Sequence, residues 1–496
     1  MPRVNFFRSR LDVGRSRGRP HWPVVRLFSS LAIAIPVVTV AMVSASAASS
    51  TNSSNASTAK SELEMDISGN GSTFVEGEPE IAVNPTNPDN LLIDWTTFTY
   101  DPFFSPTGKT ATDAAVSTNG GLSWQRVDLG VNGGPHGSGD AVAAAGPDGT
   151  LYAGGGAETS VTPPGPVGGF TIHGQDLVTS STDGGKTWSP PVVTMGSDAM
   201  GINHPGFVPG SGTPVDTFDR PFLTVDQSTG TVYSSGANIV DHERFVTASR
   251  NHAQSFGFIY AVDSAAYPEV GGSTVAAAHG VLAVAYQASQ APNATCPCVI
   301  FETSTDQGAT FDRHVVPLVN ASSSPDPFLA ANPVGRGRFA LTVLDSTGTE
   351  NQVYTTDDDG QTWQGPTLVG EAPANQRFKP WLSYGPSGQL ALVWRTLHSD
   401  HSYDVWAAVG RQQGQQGAAF SAPLRVSSVA APYPAHCSLG GLFGPTTCFG
   451  DDFSFITTDH QNAQVAWGDS RNVPADGGVQ TWYARIPLAA FNGQQS

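Results

Sequence analysis

Charged side chains recur at one repeated place in this 496-residue chain. Glu78, Glu80, Asp140, Asp219, Arg220, Asp326, Lys379, Asp451 and Asp452 stand where a short apolar strand begins. Asp94, Trp95, Gln287, Asp345, Arg395, Asp469 and Arg471 stand where the following strand ends. Two carboxyl groups held close together are what cleavage of a glycosidic bond requires, one protonated as acid and one ionised as nucleophile or base. Crowding of acids supplies the proton donor, because like charges raise one another's pKa. Asp219, Asp140 and Asp451 are the candidate catalytic carboxylates. Arg220, Arg395, Arg471 and Lys379 are the candidate substrate-binding cations, and three converging guanidinium groups suffice to clamp a carboxylate. The competing reading of Asp219–Arg220 and Asp469–Arg471 is a local ion pair that fixes the backbone.

The elements that carry these residues form a repeat. Its unit is an acid or Pro, a short apolar strand, a Gly/Asn/Pro turn and a second strand ending in a polar or aromatic residue. It occurs at Glu78–Trp95, Asp140–Gly154, Asp219–Ser235, Gly272–Gln287, Asp326–Asp345, Lys379–Arg395 and Asp451–Arg471. A second pattern, Ser/Thr-x-Asp-x-Gly-x-Thr-Trp, lies between the copies. It is clearest at Ser181–Trp188 and Thr356–Trp363. Ser304–Phe311 ends in Phe, and Ser117–Trp124 has Asn119 in place of the acid. Ser249–Phe256 is degenerate, and Gln413–Phe420 keeps only Gly417 and the aromatic. In this pattern Asn119, Asp183, Asp306 and Asp358 are expected to brace a turn by accepting backbone N–H groups, the Gly supplies a positive φ, and the aromatic buries itself between sheets.

With 55 Gly, 37 Pro, 13% charged residues and short alternating apolar runs, the chain reads as all-β. Starts at 117, 181, 249, 304, 356 and 413 give the period of one propeller blade. Seven hairpins, with a box-bearing hairpin after each of the first six, predict a β-propeller of seven four-stranded blades over residues 70–490. Six blades plus an appended hairpin is the alternative. The last copy lacks an outer strand, which the segment around Leu63–Ile67 is expected to supply. In such a ring the strand starts and second-strand ends named above share the face around the central channel.

These boxes resemble the Asp-box, or bacterial neuraminidase repeat, superfamily of β-propellers, which includes sialidases. The resemblance covers most of the chain after residue 70 and implies a carbohydrate-active protein, with the sialidase arrangement of an Arg triad, a Tyr–Glu nucleophile pair and an Asp acid/base. The boxes themselves also occur in other glycoside hydrolases and in non-catalytic propellers. The chain departs from the sialidase pattern in two ways. It has no Phe/Tyr-Arg-Ile-Pro motif on its first blade: its Arg-Ile-Pro string, Arg485-Ile486-Pro487, follows Ala484 near the other end of the chain, and the strings Asp219-Arg220-Pro221 and Phe378-Lys379-Pro380 are not on the first blade either. Its predicted blade number is seven where that family generally has six.

Seven Arg between Arg3 and Arg26, the apolar run Leu27–Val43 and the small residues Ala45-Ser46-Ala47 read as a secretory signal over residues 1–47, with an uncleaved anchor as the other reading. Residues 48–69 read as a flexible Ser/Thr/Asn-rich terminus. Removing the signal takes seven of 24 Lys+Arg and one of 42 Asp+Glu, leaving 17 against 41. Such acidity argues against nucleic acid and anionic membrane as partners. A secreted monomer that meets a glycan or glycoconjugate is expected. Cys437 and Cys448 are expected to staple a Gly/Pro-rich loop. For Cys296 and Cys298 a local bond, free thiols and cross-pairing remain open. No cofactor is required and no metal site is assigned, although rim carboxylates suit Ca²⁺. Tyr403 and Tyr483 are either nucleophile positions or inter-blade packing residues.

Three functions follow from these residues. A sialidase-like glycoside hydrolase predicts a deep central pocket where Arg and Asp/Glu converge. A non-catalytic glycan- or protein-binding propeller predicts a shallow channel plugged by apolar side chains. A polysaccharide lyase needs a His or Tyr beside Arg or Lys, the loop histidines His136, His204, His398, His401 and His436 being candidate bases.

Overall fold

The computed structural model describes residues 63–69, 74–99, 110–130, 138–162, 171–196, 218–238, 243–323, 325–371, 375–433, 453–473 and 479–492. The signal segment, the Cys437–Cys448 loop, Asp451 and Asp452 lie outside them. Seven antiparallel sheets are present, each in simple up-and-down order. Their first strands are Phe74–Val83, Ser138–Ala145, Phe218–Val225, Glu269–Ala278, Phe328–Ala331, Gln376–Tyr384 and Ser454–Thr458 for blades 1 to 7. These strands touch in cyclic order, blade 1 to blade 2 and onward to blade 7 and back to blade 1. A ring of sheets closed in this way is a propeller, and seven is the observed blade number.

Closure uses both ends of the described chain. Leu63–Asp66, within the stretch expected to be flexible, pairs with Gln480–Pro487 as the outermost strand of blade 7, as the incomplete last repeat predicts. Glu76 N–H donates to the Val479 carbonyl and Thr481 Oγ1 donates to the Glu76 carbonyl, which ties blade 7 to blade 1.

The sequence of each strand follows from its place in this ring. Second strands are sandwiched between neighbouring blades and read as continuous apolar runs, such as Val281–Ala288, where every residue is buried. Fourth strands face outward, and Gln125 and Arg126 in Gln125–Val127 are exposed. Burial on both faces removes the inside-outside alternation that a half-exposed strand shows.

The boxes behave as turn braces. Asp183 Oδ1 accepts N–H groups from Lys186 and Thr187, both at 3.0 Å, and Oδ2 accepts the Thr187 hydroxyl at 2.6 Å. The Thr187 hydroxyl and N–H, followed by the Ser181 hydroxyl, hold the Asp183 carboxyl down at about 2. Asp306 and Asp358 make the same bonds to Thr310 and Thr362, and Asn119 accepts the Ser123 N–H through its amide oxygen. Each box turn also lies on the preceding blade. A Cβ on Gly185, Gly308, Gly360 or Gly121 would strike Val116, Val246, Phe301 or Tyr483. Ser249–Phe256 substitutes Ala253, at φ 60°, for this glycine.

Candidate functional site

In an up-and-down blade the first strand starts and the second ends at one face, while the box turns between third and fourth strands lie at the other. The charged positions picked from the sequence therefore share the face opposite the boxes. Here the first strands carry a recurrent bulge: register shifts fall between Gly77 and Glu80, Gly139 and Val142, Asp219 and Phe222, Glu269 and Ser273, and Phe378 and Trp381. At four of these bulges a charged residue has positive φ: Glu78 (54°), Asp140 (45°), Arg220 (50°) and Lys379 (52°). Three of the four precede proline, which lacks an N–H and fits an inner edge or bulge. Positive φ in a non-glycine residue costs on the order of 1 kcal/mol or more, and such conformations cluster where ligands bind. Exposed Asp326, just before the first strand of blade 5, joins these four at the same face, where Asp140 and Arg220 are half-buried while Glu78 and the Lys379 ammonium are buried.

Immediately beneath these positions the channel is filled. Two residues beyond Arg220, Asp326 and Lys379 come Phe222, Phe328 and Trp381, and blade 7 adds Phe453 and Phe455. Trp381 meets all of the others: ring centroids lie 6.0 Å from Phe222, 5.1 Å from Phe328, 6.2 Å from Phe453 and 3.8 Å from Phe455. Since Phe222 belongs to blade 3 and Trp381 to blade 6, this contact spans the channel. Phe328 and Trp381 remain half-buried, whereas Phe222, Phe453 and Phe455 are buried. Among the described residues the channel is thus closed by aromatic rings just below these charged positions.

The chain is a seven-bladed β-propeller. No protein-family model and no curated protein sequence matches it. Among solved structures it is similar to a Hadza microbial sialidase, at 13% identity over 80% of this chain and 76% of that one, TM-score 0.43. It is also similar to a Dyadobacter fermentans protein of unknown function, at 12% identity over 86% of this chain and 98% of that one, TM-score 0.46. A third is Penicillium chrysogenum α-L-arabinanase complexed with arabinobiose, at 14% identity over 71% and 94% of the two chains, TM-score 0.40.

The propeller treats the sequence-predicted residues unequally. Asp140 and Arg220 come together across the seam of blades 2 and 3, where Asp140 Oδ2 accepts the Arg220 backbone N–H at 2.7 Å. The Arg220 carbonyl in turn accepts Arg244 Nη1 at 3.3 Å. Lys379 stands at the equivalent bulge of blade 6, its Nζ 6.0 Å from the centre of the Phe378 ring. Asp219 pairs in register with Ala237, and its side chain lies outside the described atoms. Arg395 does not join this group. It is buried between blades 6 and 7, donating Nε to Ser454 Oγ at 2.7 Å and Nη2 to the Phe453 carbonyl at 3.0 Å, with its guanidinium over Tyr403. Arg471 lies against the outer strand of blade 7. There it forms a fork with Asp469, reaches Glu64 Oε1 at 2.6 Å and stacks 4.1 Å over Trp482. The local ion-pair reading is the one seen for Asp469–Arg471, and the three guanidinium groups Arg220, Arg395 and Arg471 do not converge.

Arg395 therefore acts on stability. Arg395→Ala is expected to lower the unfolding free energy by about 2–4 kcal/mol, through a cavity and an unsatisfied Phe453 carbonyl. Chemical denaturation checks this, and an unchanged midpoint would show that the guanidinium is not a blade clamp.

Sequence reading missed the aromatic floor and several buried partners. Its signal was present as an aromatic two residues after the rim charge in three repeats. A Tyr–Glu pair does exist: Tyr286 donates to Glu302 Oε1 at 2.6 Å, and Arg313 Nε meets the same oxygen at 2.6 Å. All of Tyr286 and Glu302 is buried, so this pair braces blade 4 and offers no nucleophile to solvent. Burial pushes Glu302 up to about 7 against the opposing pull of Tyr286 and Arg313. Tyr403 and Tyr483 are buried packing residues that donate to the Gly468 carbonyl and to Gln464 Oε1. His398 is bonded to Asp404 at 2.8 Å. Cys296 and Cys298 form the local disulfide. Among the described residues no three His, Cys, Asp or Glu side chains gather as a metal site.

Proposed function

We propose that this protein receives a glycan at the channel mouth of the propeller. The observation that carries the reading is the group of solvent-reaching charges Asp140, Arg220 and Asp326 at the strand starts of blades 2, 3 and 5, set over the Phe222–Phe328–Trp381 floor. A sugar ring has an apolar C–H face, which stacks on an aromatic, and an edge of hydroxyls, which hydrogen-bond to charged groups. The mouth offers both surfaces in that order. A channel plugged by aromatic rings favours recognition over enclosure of a scissile bond. Export by the N-terminal leader, action as a secreted monomer and optional Ca²⁺ at the rim carboxylates belong to the same reading.

Hydrolysis of the bound glycan, in the sialidase-like manner the boxes imply, is the second reading. It is favoured by the Asp140 carboxylate meeting the Arg220 backbone N–H, with Asp219 beside Arg220 in sequence; Asp451 lies outside the described residues. The test is a glycan array together with an aryl-glycoside panel that includes an aryl sialoside, with and without Ca²⁺. Retention of a glycan that falls about tenfold or more in Asp326→Asn or Arg220→Ala, with the melting temperature held, is the expected result. Chromophore release abolished by Asp140→Asn and by Asp219→Asn would establish hydrolysis. A folded protein that retains no sugar, or whose binding ignores both rim changes, rules the reading out.

A further inference from the structure

Two carboxyl groups lie beneath the rim at the seam of blades 1 and 2. Glu80 and Asp94 are direct partners in the register of the first and second strands of blade 1, and both side chains are buried. Side chains opposed in an antiparallel pair have Cβ atoms about 5 Å apart. Both reach across to blade 2: Glu80 Oε2 accepts the Ala143 N–H at 2.6 Å, and Asp94 Oδ2 accepts the Gly154 N–H at 3.0 Å. Thr96, two residues beyond Asp94, accepts the Ala141 N–H at 3.1 Å. Ala141 lies within the bulge that sets Asp140 on the rim, Val142 and Ala143 follow it, and Gly154 is the register partner of Val142, where regular pairing resumes. Blade 1 thus holds the backbone on which Asp140 stands.

The surroundings do not neutralise two negative charges. The charged groups on the elements packed around the pair are Glu76 and Glu78 on its own strand, Asp113 on the third strand, and Asp140 and Asp176 on blade 2. Blade 7 adds Asp469 and Arg485. Arg126 is the lone Lys or Arg on the described strands of blades 1 and 2. It is committed to Glu76 at 3.3 Å and Asp113 at 3.8 Å. Asp94 Oδ1 has no hydrogen-bond partner among the described residues. Two like charges this close, out of water, are not both tolerated. Burial raises both groups well above the usual carboxylate range, with the Glu80 charge adding to the effect on Asp94.

We propose that Glu80 and Asp94 are positioning residues that hold a proton between them, and that its loss loosens the blade 1–2 seam and with it the placement of Asp140 on the rim. The role assigned to Asp140 rests on the glycan reading, whereas the seam itself does not. A folded-state carboxyl with a raised pKa stabilises the fold below its unfolded value, and that contribution is lost as pH rises through the folded value. The full mature protein should therefore lose melting temperature as pH rises above the ordinary carboxylate range, about 4.

The experiment compares wild type with Asp94→Asn, whose amide oxygen still accepts the Gly154 N–H. Other raised carboxyls, Glu302 among them, contribute the same slope to both proteins, so the difference isolates Asp94 and its coupling to Glu80. The wild-type melting temperature should fall about 3–5 °C further than that of the variant. Parallel curves overturn the proposal. Combination with Asp140→Asn tests positioning without any sugar: non-additive shifts are expected, and strict additivity refutes the link to Asp140. Where an array sugar binds, its affinity should drop about threefold or more in wild type over the pH range in which the melting temperature falls, and hold in Asp94→Asn. An array with no hit defeats the glycan reading and leaves the two melting arms to decide the seam. Glu80→Gln serves as the second variant should Asp94→Asn not fold.

Discussion

Trp381→Ala is expected to lower the unfolding free energy by about 3–5 kcal/mol and to abolish sugar retention at the mouth. The indole touches Phe222, Phe328, Phe453 and Phe455, which come from three other blades. Truncation would open a cavity that rigid first strands cannot collapse into, and large-to-small changes of this kind cost about that much. The same change removes the half-buried surface on which a sugar face would stack. Trp381→Phe separates the two effects, because it keeps an aromatic in the plug while shrinking the exposed platform. Denaturant unfolding and array binding on both variants provide the check. A stable Trp381→Ala protein that still retains its sugar would mean that the floor is neither a structural plug nor the binding platform.

The second large effect lies on the opposite face. Gly360→Ala is expected to destabilise by about 2–5 kcal/mol, combining strain from a positive φ with overpacking. At φ 88° the added Cβ would fall 2.3 Å from Phe301 Cδ1 of the preceding blade, and Trp363 of the same box stands edge-on to that ring. Gly280→Ala is the control. It has φ 77° but nothing within 4 Å of the added atom, so it reports the backbone term by itself, about 1–2 kcal/mol. If the two substitutions cost the same, box glycines are there for turn geometry and the packing of box on blade contributes nothing.

Most of the architecture was legible in particular residues. The hairpin repeats foretold the first and second strands, and the incomplete seventh copy foretold that Leu63–Asp66 would close the ring. Asp183 and Asp358 read as turn braces because their partners, Thr187 and Thr362, are four residues away. Asp140, Arg220 and Lys379 fall on one face because strand polarity alone puts every strand start there.

What failed was the assignment of partners. Arg395 looked like a free rim cation, yet its hydrogen bonds go to Phe453 and Ser454 in the next blade. Arg471 sits two residues from Asp469 in sequence, and its fork with that acid was readable, but its contact with Glu64 joins opposite ends of the chain. Phe222 and Trp381 each looked like ordinary strand residues.

The sequence by itself determined the strand, the turn, the repeat and the face on which each charge stands, because these depend on period and on contacts a few residues apart. Only the tertiary structure decided which charges remain at the mouth, which become seams between blades, and that the channel is plugged. Those outcomes depend on which side chains meet when seven sheets close into a ring, and on the energy of burying a charge or an aromatic at that meeting. Neither is encoded in any single repeat.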